Sequence, residues 1–428
     1  MKTVMIKSSK LSGIIHIPPS KSISHRAIIS AALAKGISEI NNLMMSQDIE
    51  ATLEGMKAFG AEIKKISDSS LRIRGMHHDP LKSSEISCRE SGSTLRFLIP
   101  IAAAFSQSSM IFTGTKRLGE RPLTPYYELF EKQNLSYKTN NGKLPLEIKG
   151  SLKSDEFFLP GNISSQFITG LLFALPLLNG DSSLHITSTL ESKGYIDLTL
   201  DILRHFGIQI TNTDDKNFYI QGNQTYVSKD YQVEGDFSQG AFWIVAGLIG
   251  NELNIKGLNT HSLQGDKVIL DIVAKMGGNL LIESNRILVK PSKTKGIVID
   301  ASQCPDLVPI LAVLGSVSEG TTEIVNASRL RIKESDRLAS TTRELNKLGA
   351  EIIEKTDSLI ITGKKHLKGG VVDSWNDHRI AMAMAIASIK CSEPVTITGS
   401  DSVKKSYPSF WKDFIKLGGE LDELHVGK

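Results

Sequence analysis

The chain repeats one pattern six times, and a repeat constrains a fold more than any single motif because every copy must solve the same burial problem. One recurring element is an amphipathic helix that closes on a glycine and continues as strand, turn and strand. "ATLEGMKAFGAEIKKISDSSLRIRG" is matched by "LTLDILRHFGIQITNTDDKNFYIQG", "VILDIVAKMGGNLLIESNRILVK" and "TTRELNKLGAEIIEKTDSLIITG". Weaker copies are "YYELFEKQNLSYKTNNGKLPLEIKG" and the truncated "FWKDFIKLGGELDELHV". The closing residues Gly60, Asn134, Gly207, Gly277, Gly349 and Gly418 are about 70 residues apart. Glycine suits the left-handed turn after a helix, and asparagine is its usual substitute.

Between these lies a second element, a polar cluster opening a nearly all-apolar helix: "SHRAIISAALAKG", "SGSTLRFLIPIAAA", "SSQFITGLLFALPLL", "FSQGAFWIVAGLIG", "PDLVPILAVLGSVSEG" and "NDHRIAMAMAIASI". Helices apolar all round must be enclosed, whereas the glycine-closed ones have a polar face and belong outside. Each unit is therefore one buried helix, one outer helix and about four strands, too small to be stable alone. Six units divide into two domains of three, with the break near Glu234–Asp236, and the first sixteen residues precede the first unit.

At 428 residues and 40% hydrophobic the chain is long enough for two cored domains. Its net charge of +4 comes without a dense basic block, which argues against a nucleic-acid partner. Cys88, Cys304 and Cys391 are odd in number and far apart, favouring neither a disulfide framework nor a zinc site. No apolar run reaches membrane-spanning length and no signal-peptide pattern opens the chain, so a cytoplasmic location is expected.

Cations recur where the apolar helices begin. The segment "IPPSKSISHRAIISAALAKG" reads as a helix over Ala27–Leu33 with Lys21, His25 and Arg26 at its mouth. Arg96 and Arg379 hold similar places, and Arg337 opens an outer helix. A helix N-terminus is already electropositive, so an exposed Arg there loses roughly several tenths of a kcal/mol. The set points to an anion held among helix N-termini, which gather on one face if the buried helices run parallel.

Taken singly, these residues have plainer readings. Lys21 and Lys405 read as solvated lysines, and Ser22, Ser164 and Ser165 as helix caps. His25 and His378 read as structural histidines, Cys304 as a small core residue, and Arg117 and Arg121 as members of an exposed loop. Asp306 is either a cap or a base, and Glu334 in "RLRIKESDR" is either part of a solvated charge run or a proton-transfer group.

The ordered motifs "PSKSISHRA", "ESGSTLRF", "GERPL", "SSQF", "SKGYIDLTL", "EGDFSQGA", "PDLVP", "LRIKESDR", "NDHRIAMA" and "KKSYPSF" span the chain. Together they resemble the 5-enolpyruvylshikimate-3-phosphate synthases, or 3-phosphoshikimate 1-carboxyvinyltransferases. The resemblance implies an α/β (α+β) fold: an inside-out α/β barrel of two similar domains, each of three βαβαββ repeats around buried parallel helices. One domain would comprise residues 1–18 and 236–428 and the other 19–235, with crossovers near 18–21 and 234–236 and the active site in the cleft between. It further implies transfer of the enolpyruvyl group of phosphoenolpyruvate to the 5-hydroxyl of shikimate 3-phosphate, releasing phosphate, with no metal and no organic cofactor, by a monomer.

By motif, the implied shikimate 3-phosphate set is Lys21, Ser22, Arg26, Ser164, Ser165, Gln166, Ser192, Tyr195, Asp306 and Lys333. The implied phosphoenolpyruvate set is Lys21, Gly92, Arg121, Gln166, Arg337, Arg379 and Lys405. Asp306 would accept the hydroxyl proton, and Glu334 with Lys21 would protonate the methylene carbon. Glu90-Ser91-Gly92-Ser93, Phe97 and Arg329 depart from the common bacterial pattern. Gly92 is expected to leave room for the inhibitor glyphosate, Phe97 bears on sensitivity to it, and Arg329 is left outside the site. The related UDP-N-acetylglucosamine enolpyruvyl transferases carry a reactive cysteine before their Arg-Pro loop, which "TKRLGERPL" lacks. A non-catalytic anion- or nucleic-acid-binding module would need neither Asp306 nor Glu334.

Overall fold

Helices of two kinds alternate along the chain in the computed structural model, which describes residues 2–7, 10–76, 83–105, 109–284 and 286–424. In order they are α1 (Lys21–Leu33), α2 (Gln47–Ala58), α3 (Gly92–Phe105), α4 (Thr124–Lys132), α5 (Ser165–Ala174), α6 (Lys193–His205), α7 (Phe237–Ile249), α8 (Ile269–Lys275), α9 (Val308–Ser316), α10 (Arg337–Lys347), α11 (His378–Ala387) and α12 (Phe410–Lys416). The odd-numbered helices are the apolar element of the repeat, and every residue of α7, α9 and α11 is buried. The even-numbered ones keep a polar face, as all-round hydrophobicity against one-sided hydrophobicity requires.

The six residues that close the outer helices all have positive φ: 107° at Gly60, 55° at Asn134, 84° at Gly207, 89° at Gly277, 90° at Gly349 and 98° at Gly418. A side chain with a Cβ is strained there, which explains why glycine holds five of the six places.

Among the described residues the strands form six four-stranded sheets. In one, Glu156–Leu159 runs parallel to Ser182–Ile186, which pairs antiparallel with Asn217–Ile220, and that strand pairs antiparallel with Ile210–Asn212. The buried helix α5 makes the parallel crossover and the outer helix α6 returns the chain to the hairpin, giving the order βαβαββ. Distant strands complete three sheets. Thr3–Ile6 inserts between Val395–Thr398 and Leu421–Leu424, Gly13–His16 pairs with Leu253–Lys256, and Tyr231–Gln232 pairs with Ile37–Asn41.

The chain divides into two compact units, Met1–Pro18 with Glu234–Lys428, and Pro19–Val233. In the first, α7, α9 and α11 pack on one another, and in the second α3 packs closely along α5. The end of the sixth repeat copy, residues 425–426, lies outside the described residues.

One helix boundary differs from the sequence reading. α1 begins at Lys21, not Ala27, because Ser20 caps it by accepting from the Ile23 amide at 3.4 Å. The serines after it are inside the helix. Arg26, and likewise Arg96 in α3, therefore stand in the second turn, where the dipole penalty has largely faded.

Close packing of α5 makes a test. A Cβ on Gly170 would lie 2.3 Å from both the Arg96 carbonyl oxygen and the Tyr126 hydroxyl, which bond each other at 2.6 Å. Alanine favours helix by about 1 kcal/mol, but overpacking costs about 1–3 kcal/mol and here also breaks a buried hydrogen bond. Gly170→Ala should therefore lower stability by about 2 kcal/mol in urea unfolding, and equal or raised stability would refute this packing.

Candidate active site

Side chains from four helices are tied together near the N-terminal ends of the buried helices of the Pro19–Val233 unit. Lys21, the first residue of α1, places Nζ 2.8 Å from Asp48 Oδ2 in the first turn of α2. Gln166 in the first turn of α5 accepts from Arg96 Nη1 at 2.7 Å and donates to Ser93 Oγ at 3.0 Å, tying it to the start of α3. Ser164 caps α5 by accepting from the Gln166 amide at 3.3 Å, and Ser165 follows it, buried. Gly92 opens α3, and a Cβ there would lie 2.8 Å from Arg121 Nη1 and 3.5 Å from Gln166 Oε1. These contacts place Lys21, Gly92, Arg121 and Gln166 at the N-terminal ends of buried helices.

Arg26 points inward. It donates to Thr199 Oγ1 at 2.9 Å, the Ser22 carbonyl at 2.8 Å, the Tyr195 carbonyl at 3.0 Å and Thr169 Oγ1 at 3.4 Å. Its guanidinium also stacks 5.2 Å from the Phe97 ring centroid and 5.9 Å from that of Tyr195. Burial lowers its pKa to about 10. Arg26 thus joins α1 to α5 and α6, and Phe97 is a buried floor beneath it. Ser192 precedes α6 with φ 55° and its hydroxyl does not cap the helix, an uncommon conformation for serine that leaves the hydroxyl out of the helix's own bonding. His25 is buried and bonded to Thr52 Oγ1 at 2.7 Å. Burial, with Lys21 and Arg26 nearby, holds its pKa well below the usual histidine range, in keeping with the structural reading.

The other unit gathers its charges around Asp306. This residue lies in the single turn Pro305–Leu307 before α9 and does not cap that helix. Its Oδ1 is 2.9 Å from Arg337 Nη1 and 3.6 Å from Lys333 Nζ, and its Oδ2 is 2.7 Å from Arg379 Nη2. Arg337, 1% exposed, also donates to Asp377 Oδ2 at 2.8 Å and to Glu334 Oε2 at 2.6 Å. Asp377 caps α11 through the Arg379 amide at 2.9 Å. One buried carboxylate thus serves a helix N-terminus and a guanidinium together. Lys405 donates to the Asn376 carbonyl at 2.5 Å and is buried, unlike the solvated lysine its flanking sequence suggests.

The electrostatics follow from this packing. Burial would raise the Asp306 pKa, but Arg379, Lys333 and Arg337 outweigh it and hold the carboxyl well below the usual range. Burial pushes the Lys333 ammonium down to about 8 against the pull of Asp306. Burial likewise opposes Arg337, yet Asp377, Glu334 and Asp306 raise its pKa further above the usual guanidinium value. Burial raises the Cys304 thiol beyond any nucleophilic use.

The sequence reading took these cations to point to an anion held among them, but Asp48, Asp306, Glu334 and Asp377, carboxylates of the chain itself, already pair with Lys21, Arg337 and Arg379. Asp48 escaped sequence reasoning because an acid in a helix's first turn ordinarily signals nothing beyond the dipole. Arg329 is buried and donates to the Ser302 carbonyl at 2.6 Å, a structural contact. Arg117 is exposed on the turn Lys116–Glu120.

The family profile of EPSP synthase (3-phosphoshikimate 1-carboxyvinyltransferase) matches residues 5–414. The 3-phosphoshikimate 1-carboxyvinyltransferase of Clostridium novyi (strain NT) is 57% identical and that of Clostridium kluyveri 56%, each over 100% of both chains. Among solved structures, an EPSP synthase from Acinetobacter baumannii superposes with a TM-score of 0.83 at 26% identity, covering 99% of this chain and 100% of that one. The enolpyruvyl transferase NikO from Streptomyces tendae shares the fold, with a TM-score of 0.81 at 17% identity, over 100% of this chain and 99% of that one.

Removing one member of a buried ion pair strands the other. Asp377→Ala would leave Arg337 with Asp306 and Glu334 only and uncap α11, so a loss of about 3 kcal/mol is expected in chemical unfolding. A loss below about 1 kcal/mol would mean that the pair carries no such weight.

Proposed function

The chain belongs to the EPSP synthase family, the 3-phosphoshikimate 1-carboxyvinyltransferases, and from that premise we propose how its side chains carry out the reaction. The enzyme is a transferase of the shikimate pathway that moves the enolpyruvyl group of phosphoenolpyruvate onto shikimate 3-phosphate and releases phosphate. Both substrates are polyanions, so their mutual repulsion must be offset before a bond can form. We propose that the chain acts as a monomer in the cytoplasm. Among the described residues no helix is long and apolar enough to cross a membrane.

Shikimate 3-phosphate is held by Lys21, Ser22, Arg26, Ser164, Ser165, Gln166, Ser192 and Tyr195 of one unit and by Asp306 and Lys333 of the other. Phosphoenolpyruvate is held by Lys21, Gly92, Arg121 and Gln166 with Arg337, Arg379 and Lys405. Asp306 accepts the 5-hydroxyl proton as the oxygen attacks, while Glu334 and Lys21 deliver a proton to the methylene carbon. The tetrahedral intermediate then gives a proton of its new methyl group back to Glu334 and Lys21, and the double bond re-forms as the carbon–oxygen bond to phosphate breaks and phosphate leaves.

The observation that carries this reading is Asp306 bound at once to Arg337 and Arg379. Held so, its carboxylate is a weak base. A donor carboxylate arriving at the same two guanidiniums competes with Asp306 for them and weakens their pull, so proton affinity rises at the moment a base is needed. Gly92 supports the donor site from the other unit, since a methyl there would press on the Arg121 guanidinium. By the same space it admits glyphosate.

Purified protein should release phosphate only when both phosphoenolpyruvate and shikimate 3-phosphate are present. Release with UDP-N-acetylglucosamine in place of shikimate 3-phosphate would move the enzyme to the related transferases. Asp306→Asn should keep most shikimate 3-phosphate binding by calorimetry while kcat falls by about 10²–10⁴-fold, and unimpaired turnover would remove Asp306 from the base role. Gly92→Ala should raise KM for phosphoenolpyruvate by about tenfold with a much smaller change for the other substrate. An equal rise in both would contradict the assignment of Gly92 to the donor.

A further inference from the structure

A second carboxyl lies behind Asp306 and plays no part in the mechanism above. Asp266 sits in the one-turn helix Gly265–Val268, which packs against α7, and it is 2% exposed. Its Oδ2 accepts a hydrogen bond from the hydroxyl of Ser238, in the first turn of α7. Its Oδ1 is buried without a hydrogen-bond partner among the described residues. An ionised carboxylate buried with one oxygen unsatisfied is costly, and the usual resolution is to keep the proton.

The charged and titratable groups facing Asp266 point the same way. They are Asp306 and Cys304 at the start of α9, Asp236 at the cap of α7, and Arg379 from α11. Two of the three charged ones are anions. Burial, then the charge of Asp306, pushes the Asp266 carboxyl up to about 7, with Arg379 and the Ser238 bond opposing and Asp236 adding to the rise.

We propose that Asp266 is a positioning residue of the Asp306 site, a buried carboxyl that keeps its proton so that Asp306 alone meets the cations of that site. This role rests on the reading of Asp306 as the proton acceptor. If Asp266 ionised, a second anion would face Arg379 and compete with Asp306 for it, while adding repulsion at Asp306 itself. The neutral carboxyl leaves Arg379 to Asp306 and, in turn, to the donor carboxylate. The same protein element links this residue to the chain crossing, because Gln264, two residues earlier, donates to the Gly235 carbonyl at 2.8 Å and accepts from the Phe237 amide at 3.0 Å.

The test compares the wild-type enzyme with Asp266→Asn, an uncharged replacement of the same shape, and with Asp266→Ala. A group whose folded pKa lies above its unfolded value costs stability as pH rises between the two, here from about 4 to about 7. Asp266→Asn should therefore melt above the wild type at pH 8 and lose that advantage at pH 5. In wild type, kcat/KM should fall through about 7 as Asp266 ionises, with Lys333 adding a second fall near 8. The ratio of activity at pH 7.5 to that at pH 6 should be about threefold higher in Asp266→Asn than in wild type. Asp266→Ala should lower kcat at both pH values, and Asp266→Asn should rescue it. Carbon-13 NMR of wild-type aspartate carboxyls should show one titrating near 7, a measurement that needs no variant to fold.

No aspartate titrating above about 5 would overturn the proposal. A carboxyl titrating near 7 with an unmoved rate profile in Asp266→Asn would overturn the positioning role. Both NMR and melting read the carboxyl without turnover, so they stand apart from any failure of the phosphate-release assay.

Discussion

A guanidinium sealed from water at the meeting point of α10, α11 and the turn before α9 is the contact on which the charged half of this molecule depends. Arg337 is 1% exposed and reaches Asp377, Glu334 and Asp306. An unpaired charge at that depth would cost several kcal/mol. Two of these partners have a second duty. Asp377 caps the helix that presents Arg379, and Asp306 bonds Arg379 directly. The network ties three helix starts to one another with the carboxylate of Asp306 at its centre, among Lys333, Arg337 and Arg379.

The Pro19–Val233 unit reaches a similar end by different means. Its buried cation, Arg26, is satisfied by hydroxyls, carbonyls and aromatic faces instead of carboxylates. Arg96 is bound through Gln166, an uncharged acceptor. Lys21 is paired with Asp48.

Legibility from sequence varied with how local the cause was. The outer helices ended where glycine or asparagine stood, since only those residues enter the left-handed region cheaply, and all six closing positions have positive φ. The buried helices were visible because all-round hydrophobicity has one structural meaning. The start of α1 was misplaced by six residues' worth of polar sequence, because Ser24, His25 and Arg26 read as a helix mouth until their burial partners are known. Lys405 is buried against a backbone carbonyl that lies 29 positions away in the chain, and Asp48 and Asp266 matter through neighbours that no local window contains. Burial of a polar side chain is a property of what surrounds it.

The order of hydrophobic and polar residues determined by itself the six-fold repeat, the two helix classes and the turns between them, since each depends on spacing along a single stretch of chain, and the ordered motifs carried the resemblance to the family. Only the tertiary structure decided which acid faces which base. That choice is made by side chains brought together from positions such as 306, 337 and 379, and a carboxylate's charge and basicity are set by those distances and by the water that packing removes.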